Sequence, residues 1–312
     1  MRFAFDTTWS FTPSGFEAII LTYQMKTLRK LGAALVLATV TAFAVTPAPS
    51  NGAHSELLLR SRIRPFAVHG PRVEASFNET IVNSRTAIII TDMWDKHWCS
   101  GATRRVGLIA AKMEPVLEEA RRSGILIIHA PSETMDFYAN APGRLLAQNA
   151  PNSTPPAELI FQDAPLPIDD SDGGCDTPGD KYYKAWKREN PALSIAPGDV
   201  ISDDGREIYN VLKEHHIDTL IYMGVHANMC ILGRSFGVRQ MSKWGMRCIL
   251  VRDLTDAMYD SSSRPFVSHA AGTELVIEYI EQYWAPSLTS GDFLAGLEGR
   301  SPSTSSTGLS SR

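Results

Sequence analysis

The chain has 312 residues, 44% of them hydrophobic and 21% charged, with a formal net charge of −4. This is ordinary globular composition, and its sign excludes a nucleic-acid binder that works by neutralising phosphates. Four cysteines (Cys99, Cys175, Cys230 and Cys248) are too few for a disulfide scaffold of this length, and the lack of a CxxC pair argues against structural zinc.

Met25 to Lys30 is basic, Leu31 to Val45 is apolar, and the small-residue stretches Ala42 to Ala44 and Thr46 to Ala48 offer cleavage sites. Residues 25–53 are therefore read as a secretory signal peptide beginning at Met25, with residues 1–24 as a mis-annotated upstream extension. The apolar run is shorter than the roughly 20 residues that span a bilayer. The expectation is cleavage and export, to the periplasm or the extracellular space, leaving no stable membrane span. Residues 72–288 then form one domain, long enough to bury roughly 70% of its unfolded surface. Residues 289–312, rich in Ser and Thr, are expected to be a disordered tail.

Within the domain, Thr86 to Thr91 reads as a first central strand that ends at Asp92. Thr103 to Ser123 carries helical periodicity through Val106, Ile109, Ala110, Met113, Val116, Leu117 and Ala120, with Arg121, Arg122 and a Gly124 stop. Ile125 to Ala130 is a second strand, and a strand–helix–strand unit implies a parallel sheet. Periodicity fails from Pro131 to Ala196. A connection of that length, holding Phe137, Tyr138, Phe161, Tyr182, Tyr183 and Trp186, is expected to be a lid or substrate-binding loop. Gly198 to Ser202 is a short third strand, Arg206 to His215 a helix, and Thr219 to Met223 a fourth strand that breaks at Gly224. A helix is expected from Cys230 to about Lys243, capped by Asn228. Arg247 to Val251 is a fifth strand, and Ser268 to Trp284 closes the domain as an amphipathic helix. The fold class is α/β, a three-layer doubly wound (Rossmann-like) and mostly parallel sheet of about six strands with helices on both faces.

Cys230 follows a Gly-broken strand and opens a helix, where the dipole and free N–H groups favour a thiolate. A lone cysteine is most often a small core hydrophobe. Here a strand order of 3-2-1-4-5 would place Asp92 beside it at the point where the order reverses, and ligands bind at such points. Asp92 is then the general base and later the acid, and a neighbouring cation would tune both groups. Lys187, Arg188 and Lys184 are the candidates. Trp94, His97, Trp98, Phe137 and Tyr138 follow the carboxyl ends of the first two strands, and Trp94, His97, Phe137 and Tyr138, with His129 near the end of the second, are candidate pocket residues. Cys248 lies in an apolar strand and is expected to be inert.

Asp92 after strand one, Lys187 before strand three, and Gly224-Val225-His226-Ala227-Asn228-Met229-Cys230 after strand four resemble the isochorismatase-like cysteine hydrolases. That family includes nicotinamidases, carbamoylsarcosine amidases and ureidoacrylate amidases. The resemblance covers about residues 86–285. It implies an Asp92–Lys187–Cys230 triad, a cis peptide between Val225 and His226, and an oxyanion hole made by the amides of His226 and Cys230. The implied reaction is hydrolysis of a carbon–nitrogen bond in a small amide, ureido or carbamoyl compound through a thioester. The family's Asp-x-Gln-x-x-Phe is here Asp92-Met-Trp-Asp-Lys-His97. Its Lys-x-x-x-Ser-Ala-Phe is matched loosely by Lys187 to Leu193, which keeps Arg188 and Lys184 as alternatives. The nicotinamidase zinc motif is missing between His129 and Asp136, so neither a metal nor another cofactor is expected.

Two other readings stand beside this one. The first is isochorismate-type vinyl ether hydrolysis, in which the aspartate matters more than the thiol. The second is an exported binding protein that keeps the fold without turnover. Expected partners are a small-molecule substrate and further copies of the chain in a homo-oligomer. Export would also permit a disulfide between Cys99 and Cys175, both in loops.

Overall fold

The computed structural model describes residues 53–63 and 72–300. The expected extension and all but the last residue of the expected signal peptide lie outside the described residues. The strands are β1 (His54–Ile63), β2 (Val73–Val82), β3 (Thr86–Thr91), β4 (Leu126–Ala130), β5 (Val200–Ile201), β6 (Thr219–Val225), β7 (Arg247–Asp256) and β8 (Ser287–Leu288). The helices are α1 (Ser100–Arg122), α2 (Pro142–Asn149), α3 (Gly205–Glu214), α4 (Cys230–Gly233), α5 (Val238–Lys243), α6 (His269–Tyr283) and α7 (Ser290–Leu297).

The eight strands form one sheet in the order β2-β1-β8-β7-β6-β3-β4-β5. The six strands from β3 to β8 run parallel, and β1 lies antiparallel to both β2 and β8. Strand order reverses between β3 and β6, as expected. β3 and β6 are buried along their whole length, as the central strands of a sheet covered on both faces must be. Alternation divides their side chains between two cores. Ala87, Ile89, Leu220, Tyr222 and Leu250 face one layer with α3, α5 and α6. Ile88, Ile90, Ile221, Met223 and Ile249 face the other with α1 and α7. Helix ends follow their local chemistry: Asp204 caps α3 through the amides of Arg206 and Glu207, Ser268 caps α6 through Ala271, and Gly124 ends α1 at φ 81°.

Several boundaries differ from the expected ones. The sheet gains β1, β2 and β8 beyond the five strands placed from sequence, for eight in all; β1 lies ahead of residue 72, where Leu57 and Leu59 fill the α1–α7 layer. Residues 290–297, placed in the expected tail, form α7, capped by Thr289 and anchored by the buried Phe293. α2 arises inside the segment that showed no periodicity. The long helix expected after Cys230 is broken. Arg234 turns extended and Phe236 enters the core, where its carbonyl accepts the Tyr222 hydroxyl at 2.7 Å. Among the described residues no helix is long and apolar enough to cross a membrane.

The irregular segment between β4 and β5 lies along the domain through the Leu159 amide to Lys243 O (2.8 Å), the Asp169 amide to Arg264 O (2.9 Å), and a β-bridge between Trp94 and Glu189. That bridge carries Trp186 to the carboxyl end of β3.

Candidate active site

Cys230 and Asp92 meet where strand order reverses. Thr91 is level with Gly224 across β3 and β6. A Cβ on Gly224 would stand 2.1 Å from Thr91 O, and its φ is +109°, so only glycine lets the strands approach this closely. Asp92 follows in the left-handed region, φ 45°. That turn is sparsely populated by residues other than glycine; here it is held by the Asp92 amide donating to Ala130 O at 3.1 Å. The carboxylate is fully buried. Oδ1 accepts the Ser132 amide at 2.7 Å, Oδ2 accepts Arg234 Nε at 3.0 Å, and the Cys230 thiol lies within electrostatic reach of the same group.

Burial pushes the Asp92 pKa up; Arg234, the Cys230 thiol and Ser132 oppose that rise without cancelling it. Burial and the Asp92 charge raise the Cys230 thiol well above its usual range, against Arg234 and the His226 amide. The sulfur is therefore protonated at neutral pH, contrary to the expected thiolate. α4 is a single turn and supplies little dipole, while the adjacent carboxylate disfavours a second negative charge.

The cation differs from the expected one. Lys187, Arg188 and Lys184 are all exposed. The Lys187 main-chain amide donates to Asp95 Oδ1 at 3.0 Å, the Arg188 guanidinium lies over the Phe137 ring at 5.8 Å, and Lys184 Nζ donates to Glu133 O at 2.8 Å. The group on Asp92 is Arg234. It follows Cys230 by four residues, the spacing that puts two side chains on one helical face, and that spacing was the available signal.

Trp94 and His97 come together beside Cys230. The Trp94 ring stacks on Trp186 with centroids 4.3 Å apart, and its indole N–H donates to Ser132 O at 3.0 Å. His97 stacks on Trp186 at 5.9 Å and meets His226 edge-on at 5.2 Å. Cys230 and Trp98 pack against the Trp94–Trp186 pair. Burial, with Arg105 adding to it, lowers His97 to about 4; burial lowers His226 to about 3. Both rings are neutral at pH 7. Next to His97 and Trp98 opens a cavity of about 630 Å³, also lined by Lys96, Arg104, Lys181 and Tyr183.

The other three expected pocket residues serve elsewhere. His129 is fully buried between Glu189 (Nδ1, 2.7 Å) and Asp199 (Nε2, 3.1 Å). The Tyr138 hydroxyl accepts the Glu189 amide at 2.9 Å. Phe137 is 58% exposed. β4 ends one residue short of the turn that carries Asp92's partner Ser132, so His129 points into the protein instead of over the strand ends.

The Val225–His226 peptide is cis. The loop behind it is fixed by the Ala227 amide to Asp256 O at 2.8 Å, and by the amides of Met229 and Ile231 to His226 O at 3.0 and 3.2 Å. Asn228 does not cap the helix. Its side chain exchanges two hydrogen bonds with the main chain of Met258, and position 229 precedes Cys230 without a side-chain cap. Cys99 and Cys175 are joined as a disulfide, Cα atoms 5.6 Å apart. Among the described residues, these two sulfurs and Asp180 form the one group with metal-ligand proximity, and the disulfide leaves no thiolate there to bind an ion.

No protein-family model matches the chain, and no curated protein sequence does. Several solved structures are similar to it. A cysteine hydrolase from Pseudomonas syringae pv. phaseolicola 1448A is 18% identical, with 70% of this chain and 95% of that one covered and a TM-score of 0.44. An isochorismatase from Pseudomonas putida KT2440 is 17% identical, covering 67% and 89%, TM-score 0.39. An isochorismatase family protein from Burkholderia thailandensis is 15% identical, covering 70% and 97%, TM-score 0.39. These proteins carry the names of the family that the sequence resembles.

Proposed function

We propose that the chain is a cysteine hydrolase that cleaves the carbon–nitrogen bond of a small amide, ureido or carbamoyl compound. The observation that carries this reading is the convergence of Cys230, Asp92 and Arg234 at the strand-order reversal, where Arg234 pairs with the carboxylate at 3.0 Å and the carboxylate's charge acts on the thiol. Asp92 takes the thiol proton as the sulfur attacks the carbonyl carbon. The oxyanion is stabilised by the amides of His226 and Cys230. As the carbon–nitrogen bond breaks, Asp92 passes its proton to the departing nitrogen. Water, deprotonated by Asp92, then attacks the thioester; the acid leaves and the proton returns to sulfur. Arg234 stays charged throughout and keeps Asp92 competent as a base.

The test is turnover of a panel of primary amides, ureido and carbamoyl compounds, read by ammonia or amine release, with mass spectrometry of the acylated Cys230 peptide. Wild type should release nitrogen and accumulate the adduct, and Cys230→Ala should do neither. Turnover that survives Cys230→Ala would overturn the thioester route; a vinyl ether added to the panel and cleaved equally by wild type and Cys230→Ala would point to vinyl ether hydrolysis. We also propose export, which the Cys99–Cys175 disulfide supports because such bonds persist in oxidising compartments. Expression of the full chain with and without residues 25–53 tests this; equal retention inside the cell would refute it.

A further inference from the structure

We propose that the Cys99–Cys175 disulfide, acting through Asn228, sets the position of the oxyanion-hole amides. This inference rests on the hydrolase reading above. The segment from Asp169 to Asp180 forms a strap with one end on α1 and the other on the loop that follows β7. At α1, the Ser100 amide and hydroxyl both donate to Asp180 Oδ2 at 2.7 Å, and the Gly101 amide donates to Thr177 Oγ1 at 3.0 Å. At the other end, the Asp169 amide donates to Arg264 O at 2.9 Å, and Ser263 Oγ donates to Asp172 Oδ2 at 3.0 Å. Between them Gly174, at φ +67°, lies so close to Met258 that a Cβ would stand 2.3 Å from its carbonyl oxygen.

Two routes lead from the strap to the loop that presents the amides of His226 and Cys230. In the first, Asn228 Nδ2 donates to Asp170 Oδ2 at 2.7 Å and to Met258 O at 3.0 Å, while the Met258 amide donates to Asn228 Oδ1 at 2.9 Å. In the second, Arg105 joins Asp176 (2.6 Å) to Asp256 (2.8 Å), whose carbonyl holds the Ala227 amide. Asn228 is 4% exposed and stands between the two amides in sequence. Most other strap contacts are part-exposed polar pairs, which hold weakly on their own. The covalent bond, closing a loop across a separation of 76 residues, removes the strap's freedom to leave. Asn228 is thus a positioning residue, and the disulfide is what keeps it in place.

The test compares a reaction that needs the hole with one that does not. Propanal adds to a thiol as a thiohemiacetal, whose oxygen the hole would hold. Iodoacetamide alkylates the same sulfur by displacing iodide and forms no oxyanion. Propanal affinity is read as protection of Cys230 from alkylation in wild type, in Cys99→Ser/Cys175→Ser and in Asn228→Asp. The last variant keeps the acceptor for the Met258 amide but loses both donated bonds and faces Asp170. Loss of a whole oxyanion donor costs about 10²–10³-fold in rate. Displaced amides should therefore weaken propanal binding at least about tenfold in both variants, with alkylation within about twofold of wild type. Unchanged propanal affinity in both variants would overturn the proposal, and so would a parallel fall in affinity and alkylation. Absence of any propanal protection in wild type would instead remove the hydrolase reading on which the proposal stands.

Discussion

His129 should make the fold lose stability in alkaline solution. Burial alone would push its pKa down, but Glu189 at 2.7 Å and Asp199 at 3.1 Å override that effect and raise it from 6.5 to about 9. A group whose pKa rises on folding stabilises fully below its unfolded value and loses that contribution as pH climbs through the folded one. The window is therefore about pH 6.5 to 9, and the difference amounts to about 3 kcal/mol at 1.36 kcal/mol per unit of pKa. A neutral imidazole donates from one nitrogen only, so one carboxylate must lose its bond. Asp199 still has Arg121 at 2.8 Å and the Ala196 amide at 2.8 Å, whereas Glu189 Oε1 already has no partner. Glu189 is the group left exposed to the loss, and it bridges to Trp94 beside Cys230. Urea unfolding of wild type and His129→Gln at intervals from pH 6 to 10 measures this directly. Wild type should weaken across the window and His129→Gln should lack that component. Equal pH slopes in the two proteins would refute the reasoning.

Arg234→Met removes the largest influence that holds the Asp92 pKa down. Asp92 acts deprotonated, so the acid limb of the kcat/KM profile should move to higher pH, with about a tenfold or greater loss at pH 7; an unmoved limb would exclude Arg234 from the site. Lys187→Met should leave kcat within about twofold of wild type, because an exposed lysine adds little at a distance in solvent. A loss of about a hundredfold there would restore the triad that the sequence resemblance implied. Gly224→Ala forces a Cβ to within 2.1 Å of Thr91 O at φ +109° and should cost about 3 kcal/mol or more, or prevent folding. Thermal unfolding within about 2 °C of wild type would show that the strands can separate at no cost.

The central strands were legible because a strand buried on both faces needs a continuous apolar run. Thr86 to Thr91 and Thr219 to Met223 are such runs; the strand–helix–strand unit implied the parallel sheet, and the assumed order 3-2-1-4-5 is the one the structure has. Asp92 and Cys230 were legible for the same reason, since each ends or follows one of these strands. β1 and α7 were not. Leu57 and Phe293 stand in short stretches beside a signal-like segment and a polar tail, and only tertiary packing marks them as core. Arg234 escaped because the resemblance directed the search for the cation to the segment before β5, although its spacing of four from Cys230 placed it one turn away. The site cation thus comes from the nucleophile's own turn, and the segment before β5 contributes Trp186 in its place.

That exchange has a chemical consequence. A lysine beside Asp92 could give up a proton during turnover, but a guanidinium paired at 3.0 Å cannot. His97 and His226, held neutral by burial, have no proton to donate at pH 7 beyond their single ring N–H. Proton movement is thereby confined to the Asp92–Cys230 pair. In the proposed reaction the same carboxylate accepts from sulfur, delivers to nitrogen and activates water. Burial raises its pKa and so favours its holding a proton between the two transfers, and Arg234 limits how far that rise goes. A pH–rate profile with one acid limb, shifted by Arg234→Met and unaffected by replacement of His97 with Gln, is what this division of labour requires.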